Sequence, residues 1–462
     1  MKKDNKRYFA IDLFAGCGGL SEGFKQAGFN VIAQVEMDKW ACETLKTRYL
    51  YHHLMQIGRR HLYQKFLKEE ISRDSMLGKF PEIEGSIYHT VIQSEFGRES
   101  INEILEKIER AMKFYNAQKI HVIIGGPPCQ PYSIIGRSRD PDRMMLDSRH
   151  FLYEYYLRIL ENLQPDFFVF ENVPGLITAN AAGEEMFHKI LDDFSAISPP
   201  YEVAPSLGEF RENPWNYVLD SAHFGVPQRR KRIFLIGYKR ELIDKWPTIH
   251  TIFQRIQRAG LRHTRNRGVL TVTDAIGDLP SLKPGEGADS WYMPYNSYDN
   301  GHELTEYQIR MRRNSPGILN HRARTHMKSD LERYKYFIEK HKNGNHSVTI
   351  KDLKEEQPGL MPKHKNLDGF LDRFKVQWWN RPSSTITAHI CKDGHYYIHP
   401  DISQCRSFTV REAARCQSFP DNFKFEGPRT EQFKQVGNAV PLLLANVIAR
   451  NILRELKSIY DE

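Results

Sequence analysis

Short apolar runs alternate with amphipathic stretches over the first 240 residues of the chain. Apolar runs of about four to eight residues predict buried strands, and apolar residues at every third or fourth position predict helices. The predicted strands lie at 8–13, 30–35, 121–124, 167–170 and 232–237, and the clearest predicted helices lie at 20–26, 100–115 and 150–163. Strands that alternate with helices in this order predict a parallel sheet with helices on both faces.

The alternation fails in two places. Segment 51–97 is polar and lacks a clean period, which predicts an insertion with one or two surface helices. Beyond residue 245 the chain is polar and rich in Gly and Pro, and regular helices return only at 409–418, where Thr409 can cap the first turn, and at 439–459. We therefore divide the chain into a sheet domain (1–245), an irregular domain (246–436) and a closing helical segment (437–462).

The positive charge of the chain is concentrated in its middle. The 462 residues carry a net charge of +9, and segment 238–380 alone holds 25 Lys and Arg against 17 Asp and Glu. A polyanion is the natural partner of such a segment, because phosphate contacts supply most of the affinity of proteins for nucleic acids. The alternative is a basic surface that is simply solvated.

Cysteine usage and hydropathy indicate the cellular setting. The six cysteines are scattered and do not have the spacing of a disulfide framework, and reduced thiols fit the cytosol. No apolar run approaches the roughly 18 residues that span a bilayer. The basic N-terminus leads into a predicted strand and not into the apolar region of a signal peptide. We expect a cytoplasmic protein that does not cross a membrane.

A cysteine follows two prolines at the end of the predicted strand 121–124. The turn reads Gly-Gly-Pro-Pro-Cys-Gln from Gly125 to Gln130. Pro127 and Pro128 fix the backbone in front of Cys129 at little entropic cost, which suits a thiol that acts as a nucleophile. The alternative is a buried cysteine at a strand end, which is the commonest fate of a free thiol.

The first two predicted strands end in residues suited to a nucleotide-like ligand. A glycine-rich turn with Gly16, Gly18 and Gly19 follows the first strand, and the next helix directs its positive end at that turn. Glu36 ends the second strand, where a carboxylate can accept hydrogen bonds from ribose hydroxyls. The glycine spacing is not Gly-x-Gly-x-x-Gly, so a nicotinamide cofactor is the weaker interpretation.

Two further strand ends carry charged residues. Glu171 follows the apolar run 167–170, at the edge where sheets of this class bind substrates. Arg230 and Arg232 begin the last predicted strand and would face the same side, because side chains repeat with a period of two. They are candidates for binding phosphate or carboxylate. The alternatives are that Glu171 is an ordinary loop acid and that Arg230 and Arg232 form a basic strand edge that resists aggregation.

The order of these pieces resembles the DNA (cytosine-5) methyltransferases from end to end. The similarity rests on six motifs in the linear order of that family: Phe-Ala-Gly-Cys-Gly-Gly at 14–19, Pro-Pro-Cys-Gln at 127–130, Glu-Asn-Val at 171–173, Gln-Arg-Arg-Lys-Arg at 228–232, Arg-Glu-Ala-Ala-Arg at 411–415 and Val-Gly-Asn-Ala-Val at 436–440. The resemblance is thin between 245 and 375, where members of the family differ.

The resemblance implies a Rossmann-like, S-adenosylmethionine-dependent α/β domain with a smaller, irregular target-recognition domain. Its closing segment would return to the catalytic domain. The residues expected at the cofactor are Phe14, Gly16 and Gly18 beside the methionine part, Glu36 at the ribose, and Pro128, Asn438 and Val440 in the same pocket. The family usually places an Asp beside the adenine, and Glu95 is the candidate here.

The resemblance also implies the chemistry. Cys129 would attack carbon 6 of a cytosine that has swung out of the duplex, and Glu171 would hold ring nitrogen 3 and the exocyclic amine. Arg232 would favour the thiolate, and Arg230 would seat the base or a phosphate. Loop 131–149, with four arginines, would close over the base. We expect a monomer that acts on duplex DNA in a restriction–modification system, with a possible cognate endonuclease.

Three alternatives remain open at this point. The same scaffold can methylate cytosine in RNA, and a relative could bind DNA without catalysis, although the presence of Cys129 and Glu171 argues against the latter. A cluster of Cys391, His395, His399 and Cys405 suggests zinc, but its spacing is not a usual zinc pattern. The aromatic and aliphatic residues among them favour a hairpin near the DNA. We expect no metal.

Overall fold

The computed structural model describes residues 6–128, 152–181, 184–205, 212–298, 303–343, 348–362 and 373–460. Cys129 and loop 131–149 lie outside these residues. The strands are β1 (Phe9–Leu13), β2 (Asn30–Glu36), β3 (Val91–Gln93), β4 (Val122–Gly125), β5 (Phe167–Asn172), β6 (Asn180–Ala181), β7 (Glu184–Glu185), β8 (Tyr201–Ala204), β9 (Val218–Asp220), β10 (Lys231–Lys239), β11 (Gly287–Pro294) and β12 (Gly317–Arg322).

An eight-stranded sheet forms the centre of the first domain, in the order β3-β2-β1-β4-β5-β10-β8, with β9 paired to β10. Strands β1 to β5 in this order are parallel, and β10 runs antiparallel to its three neighbours. Successive residues of β1 and β4 are buried, so both faces of the sheet are covered. This confirms the predicted strands and the α/β fold. The carboxyl ends of β1, β2, β4 and β5 and the amino end of β10 therefore meet at one edge.

The helices connect the strands and build the remainder of the chain. They are α1 (Gly19–Ala27), α2 (Lys39–Gln56), α3 (Arg60–Leu67), α4 (Arg73–Leu77), α5 (Pro81–Thr90), α6 (Ile101–Phe114), α7 (Leu152–Leu163), α8 (Met186–Ala196), α9 (Leu242–Lys245), α10 (Ile252–Arg267), α11 (Val272–Ile276), α12 (Glu306–Arg312), α13 (Lys328–Asn343), α14 (Ile350–Glu356), α15 (Val410–Cys416), α16 (Arg429–Asn438) and α17 (Leu442–Tyr460).

Several predicted helices are confirmed with shifted ends. Helices α1, α6 and α7 occupy the predicted positions. Helix α15 begins after Thr409, whose hydroxyl accepts the N–H of Glu412 while the Glu412 carboxylate accepts the N–H of Thr409. Helix α17 begins at Leu442, three residues after the predicted start, because Ala439 and Val440 are extended and Pro441 precedes the first turn.

The prediction of one or two surface helices at 51–97 was wrong. The end of α2 packs with α3, α4 and α5 around a buried apolar cluster that includes Leu54, Tyr63 and Phe66. Leu319 of β12 joins this cluster, so these helices also contact the irregular domain. Each helix is short and buries only a few side chains, so no helical period stands out from the polar background. We call α3, α4, α5 and the C-terminal half of α2 the helical insert.

The segment beyond residue 245 is more regular than predicted. Ile252, Phe253 and Ile256 of α10 belong to the core of the sheet domain, which therefore continues past the predicted boundary at 245. A second core lies around α11, α15 and α16. Of the hairpin predicted around 391–405, the structure has one antiparallel bridge, between Ile398 and Ser407, and no strand: short 3-10 turns at Ala388–Cys391 and His395–Tyr397 occupy the described residues of this region. Gly394, with φ of 75°, separates the two turns.

Two possible features are not found in the described part of the chain. No group of three or more His, Cys, Asp or Glu side chains there is arranged to hold a metal ion. No single helix in the same residues is long and apolar enough to cross a membrane, although α16 and α17, joined at a bend of 40°, reach that length and composition together.

Candidate active site at the carboxyl edge of the sheet

The glycine-rich turn after β1 is tied to the end of β2 by one carboxylate. Glu36 accepts the N–H of Gly16 at 2.7 Å and the N–H of Asp38 at 2.8 Å. Gly18 caps α1 in a left-handed conformation, with φ of 89°, that glycine adopts without strain. Burial raises the pKa of Glu36, although the hydrogen bonds from Asp38 and Gly16 act in the opposite direction. Each carboxylate oxygen keeps a lone pair for a further donor.

A buried polar group stabilises this turn. Asp12 of β1 accepts both the N–H and the hydroxyl of Ser21 in α1, at 3.1 and 2.5 Å. The Ser21 hydroxyl in turn accepts a hydrogen bond from the Gln34 amide at 2.7 Å. Complete burial raises the pKa of Asp12 to about 7, because the hydrogen bonds from Ser21 only partly offset the loss of solvation. The prediction from sequence did not include Asp12.

The C-terminal segment approaches the same turn. A methyl group at Gly19 would lie 2.4 Å from the carbonyl oxygen of Val440, so only glycine fits there. Val440 is buried beside the turn, and Asn438 is exposed at the end of α16. The ring of Phe14 stacks on that of Phe96 with centroids 4.3 Å apart. Three sequence-distant pieces thus surround the turn.

The predicted cofactor residues fit a ligand that carries a ribose. Glu36 offers acceptors, and a side chain added at Gly16 would meet no atom within 4 Å, so space is open above the turn. Phe14 provides an aromatic wall. Pro128, at the end of the described segment, is exposed, as is Glu95. Contacts of Pro128 and Glu95 with the cofactor stay predictions.

Glu171 forms an ion pair with Arg232 at the same edge. The distance between Arg232 Nε and Glu171 Oε1 is 3.0 Å, and both side chains are largely buried. Burial raises the pKa of Glu171 even though the charges of Arg232 and Arg230 act to lower it. The carboxyl group is therefore poised to carry a proton more readily than a solvated Glu.

The loop that leads to Cys129 passes directly over Glu171. A methyl group at Gly126 would lie 2.7 Å from Glu171 Oε2. The amide of Asn172 donates to the carbonyl oxygen of Pro127 at 3.5 Å, while its own carbonyl accepts the N–H of Val173. Gly126, which precedes Cys129 by three residues in the sequence, therefore lies against the Glu171 carboxylate. Cys129 itself lies outside the described residues.

Arg230 connects three parts of the chain. It is 2% exposed, and its guanidinium donates to the carbonyl oxygens of Ile386 at 2.5 Å and Gly437 at 3.1 Å. Burial, together with the nearby charge of Arg232, holds the pKa of Arg230 well below its usual value. These bonds hold the irregular domain and α16 against β10. A direct contact of Arg230 with a substrate stays a prediction.

Gln228 is a further residue that sequence reasoning did not single out. It is fully buried, and its amide donates to the carbonyl oxygen of Cys416 at 3.2 Å while accepting the N–H of Ile386 at 2.8 Å. It stands two residues before Arg230, shares the partner Ile386 with it, and reaches α15 where Arg230 reaches α16. In the sequence, only its place within the motif 228–232 indicates that Gln228 has a role at this site.

A match to a family model identifies the protein family of this chain. Residues 8–81 and 83–454 match the model of the C-5 cytosine-specific DNA methylases. The chain belongs to this family. The resemblance noted in the six motifs is thereby confirmed, and this methylase is a DNA (cytosine-5)-methyltransferase with S-adenosylmethionine as its methyl donor.

Individual relatives of the methylase are type II methyltransferases. M.Bpa9945I of Bacillus paralicheniformis is 42% identical over 96% of this chain and 98% of its own length. M1.HphI of Haemophilus parahaemolyticus is 31% identical over 96% of this chain and 86% of its own length. A DNA modification methyltransferase encoded within an E. coli prophage shares the fold, with a TM-score of 0.59, 23% identity, and coverage of 97% of this chain and 99% of that one. The methylase is thus similar in sequence, over nearly its whole length, to type II methyltransferases.

Proposed function

We propose that the methylase modifies carbon 5 of one cytosine in a specific duplex sequence, through a covalent adduct between Cys129 and a flipped base. The observation that carries this proposal is the position of Glu171, paired to Arg232 and lying against Gly126 in the loop that leads to Cys129. A carboxyl group, a guanidinium and a thiol at one strand edge are the groups that this reaction needs.

Carbon 5 of cytosine is too weak a nucleophile to be methylated unaided. Attack of the Cys129 thiolate on carbon 6 forms a carbon–sulfur bond and moves an electron pair toward carbon 5, which can then accept a methyl group. Loss of the proton on carbon 5 restores the double bond and expels the thiolate. S-adenosylmethionine, when bound, supplies the electrophilic methyl group.

Glu171 would hold the pyrimidine during this attack. Its raised pKa favours a protonated carboxyl group, which can donate to ring nitrogen 3 as negative charge develops there. Its other oxygen would accept from the exocyclic amine. Arg232 orients the carboxyl group through the 3.0 Å ion pair and contributes positive charge near the thiol.

The cofactor would be held by the turn after β1 and by Glu36. Phe14 provides an apolar wall, and Gly16 leaves space for the close approach of the ligand. Pro128, Gly18, Asn438 and Val440 complete the proposed pocket. The target base is stacked inside duplex DNA, so it must leave the helix to reach this edge. We also propose that loop 131–149 closes over it.

The central test is Cys129→Ser together with trapping of the adduct. We expect the variant to lose methyl transfer by at least about a thousandfold while its affinity for target DNA changes little, because only the covalent step is removed. Wild-type protein should form a complex with 5-fluorocytosine duplex DNA that resists denaturation, and the variant should not. Cys391→Ser, at a half-buried thiol that is not among the proposed catalytic residues, is the matched control.

Full activity of Cys129→Ser would overturn the mechanism, and an adduct with RNA but not with DNA would overturn the substrate. Bisulfite sequencing of host DNA after expression would give the target sequence.

We further propose that the enzyme acts as a monomer in the bacterial cytoplasm, alongside an endonuclease that cleaves the same unmodified site. Gel filtration and co-expression with the neighbouring gene would test these two points.

A further inference from the structure

Helix α10 carries a row of arginines on the face opposite its core contacts. Its buried residues include Ile252, Phe253 and Ile256. Arg258, Arg262 and Arg265 follow one another at spacings of four and three, which places them on one face. All three are exposed. We call these three residues the arginine stripe.

Acidic residues do not balance this charge. The sequence of α10 contains no Asp or Glu. The carboxylate of Glu455 in α17 pairs with Arg255, and Glu306 of α12 pairs with Arg267 at 2.5 Å. Among the described residues, the members of the stripe have no carboxylate partner. Solvated surface helices usually interleave both signs, so a helix with arginines alone points to an anionic partner.

The neighbouring helices extend the positive surface. Helix α12 packs with the start of α17 around Tyr307, Met311 and Leu443. Arg310 of α12, Arg313 directly after it and Arg450 of α17 are all exposed. These three arginines add positive charge to the surface beside α10.

The Arg265 end of the stripe lies near the catalytic edge. Thr264 of α10 contacts the ring of His223 at 3.1 Å, in the turn Ser221–Phe224 that leads toward β10 and Arg232. From Arg265 to Arg258 the helix rises about 10 Å, which matches roughly three nucleotide steps along one strand of a duplex. A duplex bound at the catalytic edge can therefore continue along this helix.

We propose that the arginine stripe binds phosphates of duplex DNA outside the target sequence, as a second DNA surface beside the recognition domain. This inference rests on the proposed action on duplex DNA. Contacts to phosphates carry no sequence information, so this surface strengthens binding to any duplex that extends beyond the target. It is not among the proposed catalytic residues and does not take part in the reaction.

The test replaces Arg258, Arg262 and Arg265 together by Gln, which keeps helix propensity and removes three charges. Binding of a duplex of about 40 base pairs without the target sequence is measured by fluorescence anisotropy at several salt concentrations. We expect affinity to fall roughly tenfold at low salt and the slope of log K against log salt to decrease by about 2 to 3. Single-turnover methyl transfer at saturating DNA should be unchanged.

Two matched variants make the result specific. Replacing the exposed Lys79, Arg110 and Lys113 by Gln removes the same charge elsewhere on the surface and should leave the slope as it is. Replacing the stripe by three lysines keeps the charge and should retain most of the binding.

The inference would be overturned if the Gln variant of the stripe bound the duplex as tightly, and with the same salt dependence, as the variant of Lys79, Arg110 and Lys113. The same result is expected if the stripe docks an acidic protein and not DNA. Failure of the proposed function would be seen separately, as wild-type protein that does not methylate any duplex.

Discussion

Gly126 leaves no room for a side chain beside Glu171, and this makes a sharp test of the site. In Gly126→Ala the new methyl group would lie 2.7 Å from Glu171 Oε2, so either the carboxylate or the loop before Cys129 must move. We expect single-turnover methyl transfer to fall roughly tenfold to a hundredfold, because small displacements of reacting groups are costly. Gly85→Ala, where the added methyl meets no atom within 4 Å, should leave the rate unchanged. Equal rates in both variants would contradict this geometry.

Asp12 gives a prediction for stability against pH. Its pKa is about 7 in the folded protein and lies near 4 in an unfolded chain. Between these values the folded state holds a proton that the unfolded state has lost, so the free energy of unfolding decreases as pH rises through this window. Asp12→Asn removes the titration, and the stability of the wild type relative to this variant should fall by a few kcal/mol between pH 4 and pH 8. Urea unfolding of both proteins at several pH values measures it. Parallel curves would show that Asp12 does not titrate there.

At the scale of elements, the helical insert joins α1 to the irregular domain. Arg48 of α2 donates two hydrogen bonds to Glu22 of α1, at 2.8 and 2.7 Å, and one to the side chain of Asn422 at 2.7 Å. Tyr63 of α3 donates to the carbonyl oxygen of Asn422 at 3.0 Å. Burial would raise the pKa of Glu22, but Arg48 and His52 hold it well below its usual value. Two helices of the insert therefore hold one loop of the other domain.

Removal of Arg48 should destabilise this junction strongly. In Arg48→Met the carboxylate of Glu22 stays buried and keeps only His52 and the Gln26 amide as hydrogen-bond partners among the described residues, so we expect a loss of about 3 to 5 kcal/mol in the free energy of unfolding. Adding Glu22→Gln should recover part of that loss, because no uncompensated charge remains. Urea denaturation of both single variants and the double variant measures the coupling. Additive losses would contradict a direct pair.

The elements that the sequence predicted well include the continuous apolar runs. Residues 122–124 and 167–170 are apolar at every position because both faces of the sheet are covered, and they form central strands. The insert could not be predicted, because its helices are short and its core is completed by Leu319, far away along the chain. The turns around Gly394 were mistaken for a hairpin because aromatic residues favour strands locally.

Across the whole molecule, the motifs predicted which residues converge but not what each one contacts. Glu171, Arg232 and the turn after β1 lie at one edge, as the strand-end rule requires. The carbonyl partners of Arg230, at Ile386 and Gly437, depend on how the irregular domain and α16 pack against β10. That packing brings together residues far apart in sequence, and no local pattern encodes it. The role of Asp12 was missed for the same reason, since only burial sets it apart from a solvated carboxylate.

The close packing of α1 against α17 has a consequence for synthesis on the ribosome. Asn446 donates to the carbonyl oxygen of Gly23 across a separation of 423 residues, and a methyl group at Gly23 would lie 2.4 Å from Ala445 Cβ. At typical translation rates the two helices emerge roughly half a minute apart. Until α17 arrives, α1 lacks the helix that packs against Gly23, and the turn at Gly19 lacks Val440. A nascent chain with a complete sheet sequence would therefore still lack Val440 and the end of α16 at the proposed cofactor pocket.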